Sequence, residues 1–169
     1  MANMILILGD QLSHNLSALT NADPAVDRLV MAEVHDEASY ARHHKKKLVL
    51  VFSAMRHFAE ELKARGWQLH YHRYDPDSTH QSLEAVVAEQ VERHKPERLI
   101  TTECGEWRLH EQIGQWHQRL GITVEILPDT RFIASKDQFA DWANGRKQLR
   151  MEYFYRDMRR QTGLLMTPE

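Results

Sequence analysis

The stretch Met4-Ile-Leu-Ile-Leu-Gly-Asp10 (MILILGD) decides the fold of this chain. Its first five residues are all apolar, with no polar position to meet water, and the run stops at a Gly-Asp turn signal. A strand that alternates apolar and polar residues has one wet face. A strand apolar throughout is buried on both faces, as in a parallel sheet covered by helices on either side. Parallel strands need crossovers of helical length between them, and the rest of the chain supplies that alternation.

Leu12, Leu16 and Leu19 follow at helical spacing, Asp23-Pro24 marks a turn, and Leu29 to Val34 (LVMAEV) reads as a second strand. LVLVF at Leu48 to Phe52 has strand-like composition. Over a longer window, however, Leu48, Val51, Phe52, Met55, Ala59 and Leu62 form one stripe with Gly66 placed to end it, which predicts a helix. Trp67 to Tyr74 (WQLHYHRY) alternates as a strand does. Leu83, Val86, Val87 and Val91 make a helical face closed by Lys95-Pro96, and Arg98 to Glu103 (RLITTE) is a strand. Leu109, Ile113, Trp116 and Leu120 make another helix, stopped by Gly121, and Ile122 to Leu127 is the fifth strand. The expected class is α/β: a Rossmann-like, doubly wound, five-stranded parallel sheet with helices on both faces. After Pro128-Asp129 the alternation ends. Ser135-Lys-Asp-Gln138 has capping-box spacing ahead of Phe139 and Trp142, and Asn144-Gly145 interrupts that helix before a last one at Leu149 to Arg160. The expected division is an α/β domain over residues 1–130 and helical lead-out segments over 131–169.

A chain of 169 residues is long enough for one domain with a proper core. A formal charge of -2 argues against a protein that coats nucleic acid over its whole surface. The single cysteine, Cys104, excludes a disulfide framework and any multi-cysteine metal or iron–sulfur site within this chain. The apolar run at the N-terminus is too short for a signal peptide and nothing approaches transmembrane length, so a cytoplasmic setting with no membrane partner is expected.

In an open parallel sheet, ligands bind beyond the carboxyl ends of the strands, near the point where strand order reverses. Those ends read Gly9-Asp10-Gln11, Glu33-Val-His-Asp-Glu37 and Glu103-Cys-Gly-Glu106, and carboxylates recur in all of them. Neither GxGxxG nor GxxxxGK[ST] occurs. Carboxylates repel phosphate but accept hydrogen bonds from hydroxyl and ring N–H groups, so a donor-rich, uncharged or cationic ligand such as a ribityl chain or heterocycle is favoured over ATP. If a helix begins near Glu37, then Glu37, Tyr40, His44 and Val51 fall near one of its faces and wall the crevice. From spacing alone the plainer reading is favoured, in which Tyr40 and Val51 are core while Glu37 caps the helix N-terminus. His70 and His72 share one face of a strand and His43 adjoins His44, but no HExxH-type spacing accompanies them, and no metal is expected. No GxSxG is present and a lone thiol such as Cys104 is more often packing, so no catalytic residue is assigned. The run Arg42-His-His-Lys-Lys-Lys47 is either a solvated face or a phosphate contact.

Several long stretches taken together resemble a known family: ILGDQLS, EASYARHHKKK with FSAMRHFAEEL, GEW, and LRMEYFYRDMRRQTGLLM. They are similar to the photolyase/cryptochrome superfamily, and within it to the deoxyribodipyrimidine photolyase-related branch of iron–sulfur bacterial cryptochromes and prokaryotic (6-4) photolyases. The likeness runs nearly from end to end. It implies an N-terminal antenna domain, followed in the full-length protein by a helical domain with FAD, a 4Fe-4S cluster and the DNA-lesion pocket. It also implies 6,7-dimethyl-8-ribityllumazine as the small-molecule chromophore of this domain. By motif, Asp10, Gln11, Leu12, Glu37, Tyr40 and Val51 are expected around the lumazine, with Glu33, His43, His44, Glu103 and Glu106 as a second group. The resemblance thus implies a piece cut at a domain boundary. It would capture light and pass excitation to FAD for repair or blue-light signalling, and meet DNA only through the full-length protein.

Two other readings belong to different classes. One is a nucleotide-binding α/β domain taking ATP or AMP at Gly9-Asp10. The other is an interaction module acting through the basic C-terminal helix and its Arg156, Arg159 and Arg160. On that helix Met151, Phe154, Tyr155 and Met158 form an apolar stripe, expected to be buried on the α/β layer rather than left bare for stacking on bases.

Overall fold

The structure is a computed structural model that describes residues 2–166. The chain divides into two compact units, Met1–Pro128 and Asp129–Glu169. In the first, the elements run β1 (Met4–Leu6), α1 (Ser17–Thr20), β2 (Arg28–Ala32), α2 (His35–Ser39), α3 (Lys45–Ala64), β3 (Gln68–His72), α4 (Leu83–His94), β4 (Arg98–Thr102), α5 (Trp107–Gly114), α6 (Trp116–Leu120) and β5 (Thr123–Leu127). Among the described residues the five strands form one parallel sheet in the order β3-β2-β1-β4-β5. The chain builds outward from β1 through β2 to β3, then crosses back to β4 and β5. Strand order therefore reverses beside β1, where Ile5 sits in register with Leu29 on one side and Ile100 on the other.

The period of two along MILIL sorts its residues between two cores. Met4, Leu6 and Leu8 join Leu83, Val86 and Val87 of α4, Leu109 and Ile113 of α5, and Trp116 of α6. Ile5 and Ile7 join Leu19 of α1 and Met55, Phe58 and Leu62 of α3. No residue from Met4 to Leu8 is more than 4% exposed, so the run is covered on both faces as its composition requires. The segment from Leu48 to Leu62 is helical, and the helix runs from Lys45 to Ala64.

Three expectations about element limits are corrected. The 12–19 segment becomes helical only at Ser17, because Gln11 and Ser13 donate backbone N–H groups to Leu8 and Gln11 carbonyls in tight turns; Leu12 still packs against the α3-side core. The segment from Leu109 to Leu120 is two helices that meet at Gln115, directly after Gly114, a residue that weakens helix interiors. No single helix carries Glu37, Tyr40, His44 and Val51. α2 ends at Ser39, and a new helix begins where the His44 ring accepts the Lys46 backbone N–H at 3.1 Å, which makes His44 the N-cap of α3.

The second unit holds α7 (Lys136–Ala143) and α8 (Met151–Thr162). Ser135 and Gln138 form the reciprocal capping box read from their spacing, at 3.1 and 2.9 Å. α8 ends at Gly163, which takes a left-handed φ of 69°. Its apolar stripe is only partly covered: Phe154 is buried edge-on against the rings of Phe139 and Trp142, while Met151 and Tyr155 are exposed. Trp142 Nε1 also donates to Asp157 at 3.0 Å, so the α7 rings take up the one stripe position that is buried. Among the described residues no helix is long and apolar enough to cross a membrane.

The contrast along α3 is testable by urea unfolding. Leu62, fully buried, should cost about 2–5 kcal/mol when replaced by Ala, with little change in the denaturant slope. Val49→Ala, at a position 69% exposed on the same helix, should stay within about 0.5 kcal/mol of the parent.

Candidate functional site

At the carboxyl ends of β1, β2 and β4 lies a cleft of about 340 Å³. Val51, Phe52 and Met55 of α3 line it with Leu8, Leu83 and Leu109, giving an apolar floor. α3 comes this close because Gly9 has no side chain: a Cβ there would stand 3.1 Å from the Met55 sulfur and 3.4 Å from Val51 Cγ1. Around the floor stand Asp10, Glu33, Glu37, Tyr40, Lys47 and Glu106.

Glu33 is the most constrained of these. Only 1% exposed, it sits just past β2 and accepts four hydrogen bonds. Arg56 donates Nε to Oε1 at 2.7 Å and Nη2 to Oε2 at 2.6 Å, the Tyr71 hydroxyl donates to Oε1 at 2.5 Å, and the Tyr74 backbone N–H donates to Oε2 at 3.0 Å. Burial alone would push its carboxyl pKa up. The donors from Arg56, Tyr71 and Tyr74 outweigh that and hold it below the usual carboxylate range. Burial and the same carboxylate push the Tyr71 phenol up. With both oxygens filled, Glu33 ties α3, β3 and the Tyr74 loop to the end of β2.

The rim is organised by Arg108, in the first turn of α5. Its Nη2 donates to Glu37 Oε2 at 2.8 Å, its Nε donates to Glu106 Oε1 at 2.7 Å, and the guanidinium lies 4.5 Å from the Tyr40 ring centroid. One cation thus holds two carboxylates and a ring, and each carboxylate keeps a second oxygen. The His43 ring packs edge-on against Tyr40 and lies 3.2 Å from Lys47 Nζ.

Of the residues singled out from sequence, Asp10, Glu33, Glu37, Tyr40, Val51 and Glu106 line this cleft, and Gln11, Leu12, His43, His44 and Glu103 do not. Gln11 is fully buried beneath it, where its side chain donates to the Thr102 carbonyl at 2.7 Å and accepts the Leu8 N–H at 3.2 Å, stitching the ends of β1 and β4 together. Leu12 is in the α3-side core, His44 caps α3, and half-buried Glu103 gives its backbone N–H to Leu127. Tyr40, read alternatively as core, is 52% exposed. Arg56 and Arg108 were not foreseen, and they change the electrostatics: with Lys47 they offset much of the acidity that the strand ends suggest. Their signal is weak in sequence. Arg56 follows Phe52 by one helical turn beside the apolar stripe, and Arg108 follows Glu106 by two positions. Neither spacing names its partner across the sheet.

The family model for deoxyribodipyrimidine photo-lyase-related proteins matches residues 5–169. The chain belongs to that family. A protein of Agrobacterium fabrum named "(6-4) photolyase" is 47% identical over 169 residues, which are 100% of this chain and 33% of the relative. The chain therefore spans about a third of the length of this photolyase relative.

The Glu33 network makes a pH-dependent prediction. A carboxyl whose folded pKa is depressed contributes stability that is fully present above its unfolded pKa and is lost as pH falls through the folded one. Arg56→Met should lower stability at pH 7 by about 2 kcal/mol, a figure held down by the partial exposure of Arg56. It should also flatten the loss of stability on acidification. Urea midpoints recorded from neutral to acid pH check both, and parallel pH profiles for parent and variant would contradict the assignment.

Proposed function

We propose that this chain is the light-harvesting domain of a photolyase-related flavoprotein and holds 6,7-dimethyl-8-ribityllumazine in the cleft at the ends of β1, β2 and β4. The observation that carries the reading is the pairing of an apolar floor with a carboxylate rim in a cavity that has no glycine-rich phosphate loop. The volume, about 340 Å³, falls in the lower part of the range of roughly 300–1,000 Å³ usual for small-molecule sites. Val51, Phe52 and Met55 would pack against a flat ring system and keep water from it. The open oxygens of Glu37 and Glu106, with Asp10, accept hydrogen bonds from ribityl hydroxyls. Lys47 can donate to ring carbonyl oxygens, and Arg108 fixes the rim so that a bound ring keeps one orientation. When bound, the lumazine supplies light absorption and dipole coupling to FAD. No acid, base or nucleophile is needed for that transfer, and rigidity is, which gives the Glu33 clamp a purpose. In the full-length protein, FAD and the 4Fe-4S cluster would belong to the remaining two thirds, and the name of the Agrobacterium relative favours light-driven repair of (6-4) photoproducts as the task served.

Titrating the purified chain with the lumazine and following its fluorescence anisotropy tests the reading. Saturable binding is expected, at least tenfold weaker in the Glu37→Ala/Glu106→Ala double variant, equivalent to about 1.4 kcal/mol. ATP should not compete. A folded chain that shows no saturable binding, or one from which ATP displaces the lumazine, would overturn it.

A further inference from the structure

We infer that a second cavity, at the opposite ends of the strands, is a binding site for a small phosphate-type oxyanion. It has a volume of about 300 Å³ and lies where β2 and β3 begin, beneath the last turns of α4. Arg28, His70, Gln90, Arg93 and His94 line it. The deciding group is Gln90. It is 1% exposed, yet its side-chain Nε2 has no hydrogen-bond partner, and the buried Nε2 of His70 has none either. Leaving a buried polar group unsatisfied costs about 1–3 kcal/mol, so two such nitrogens on residues that line one cavity favour a ligand that offers them hydrogen bonds.

The charges around the cavity select the kind of acceptor. Arg93 is already engaged, donating to Glu89 at 2.6 Å. Arg28 forms no ion pair among the described residues, so one whole positive charge is uncommitted. α4 points its carbonyl end here, which opposes an anion, but a helix terminus amounts to roughly half a charge and fades within one turn, less than the Arg28 guanidinium provides. Burial is the main cause that lowers both imidazoles, and neighbouring cations add to it. Burial, then Arg28 and Arg93, hold His94 below the usual imidazole range. Burial lowers His70 as well; Glu89 acts against that, and His72, Arg93 and His94 add to it. An oxyanion would accept from Gln90 Nε2 and the guanidiniums and relieve that mutual repulsion. A carboxylate-lined site prefers cations or hydroxyls, so this cavity and the cleft at the far ends of the strands differ in ligand chemistry, and neither reading depends on the other.

Inorganic phosphate and methyl phosphate are the probes, with chloride at matched ionic strength as the control. Binding is followed by thermal melting and by NMR of the histidine rings. The expected result is a saturable phosphate-specific rise in melting temperature, with affinity at least tenfold weaker in Gln90→Leu and in Arg28→Met. In the parent chain, phosphate should raise the titration midpoints of His70 and His94 together while leaving those of His43 and His44 in place, a readout that needs no variant. Equal response to methyl phosphate would assign the site to a phosphomonoester end, and response to inorganic phosphate alone would assign it to the free ion. No phosphate effect beyond that of chloride, or unaltered affinity in both variants, would overturn the proposal and leave the cavity to water.

Discussion

The structure depends on one constraint: β1 has no side that can face water. A strand buried on both faces must have neighbours on both edges and helices above and below. β2 and β4 fill the edges, α1 and α3 cover one face, and α4, α5 and α6 cover the other. Because β1 is laid down first and flanked from both directions, the sheet must reverse its order beside it. That reversal parts the loops after β1, β2 and β4, and a crevice at their ends is the geometrical result. The position of the cleft follows from the burial of five apolar residues at the start of the chain.

Charge in the cleft is arranged by compensation. Removing Glu33 from water is unfavourable by itself, and the guanidinium, phenol and backbone donors around it reverse the balance. Arg108 does a milder version of the same at the exposed rim, where solvent screening keeps each pair weak but shared geometry holds three side chains at once. The interior clamp sets the shape of the wall and the rim sets its hydrogen-bonding character.

How far the sequence discloses this differs by element. The five strands and α3 were legible because their signal is periodicity over many residues, and the apolar composition of LVLVF did not outweigh the longer stripe through Leu62. The rim was legible as a list of acids, since strand ends in a parallel sheet converge by topology. What the sequence could not show was pairing across the fold: 23 residues separate Glu33 from Arg56 and 71 separate Glu37 from Arg108, and no local rule couples such distances. The split of α2 from α3 was hidden for another reason. Helical spacing through Glu37, Tyr40, His44 and Val51 is compatible with one helix, and only the capture of a backbone N–H by the His44 ring restarts it. Gln11 and His44 illustrate the same point: polar side chains that look available in sequence also close backbone hydrogen bonds.

The division between α2 and α3 also separates two design variables. The floor residues Val51, Phe52 and Met55 belong to a twenty-residue helix anchored in the core, whereas Glu37 and Tyr40 of the rim belong to or adjoin α2, a short helix with no buried residue. Substitutions in the rim can therefore drift, or be engineered, while the packing of Val51 and Met55 against Gly9 is kept. Such a scaffold is modular in the sense that matters for protein engineering: its rim chemistry can be rewritten without renegotiating its core.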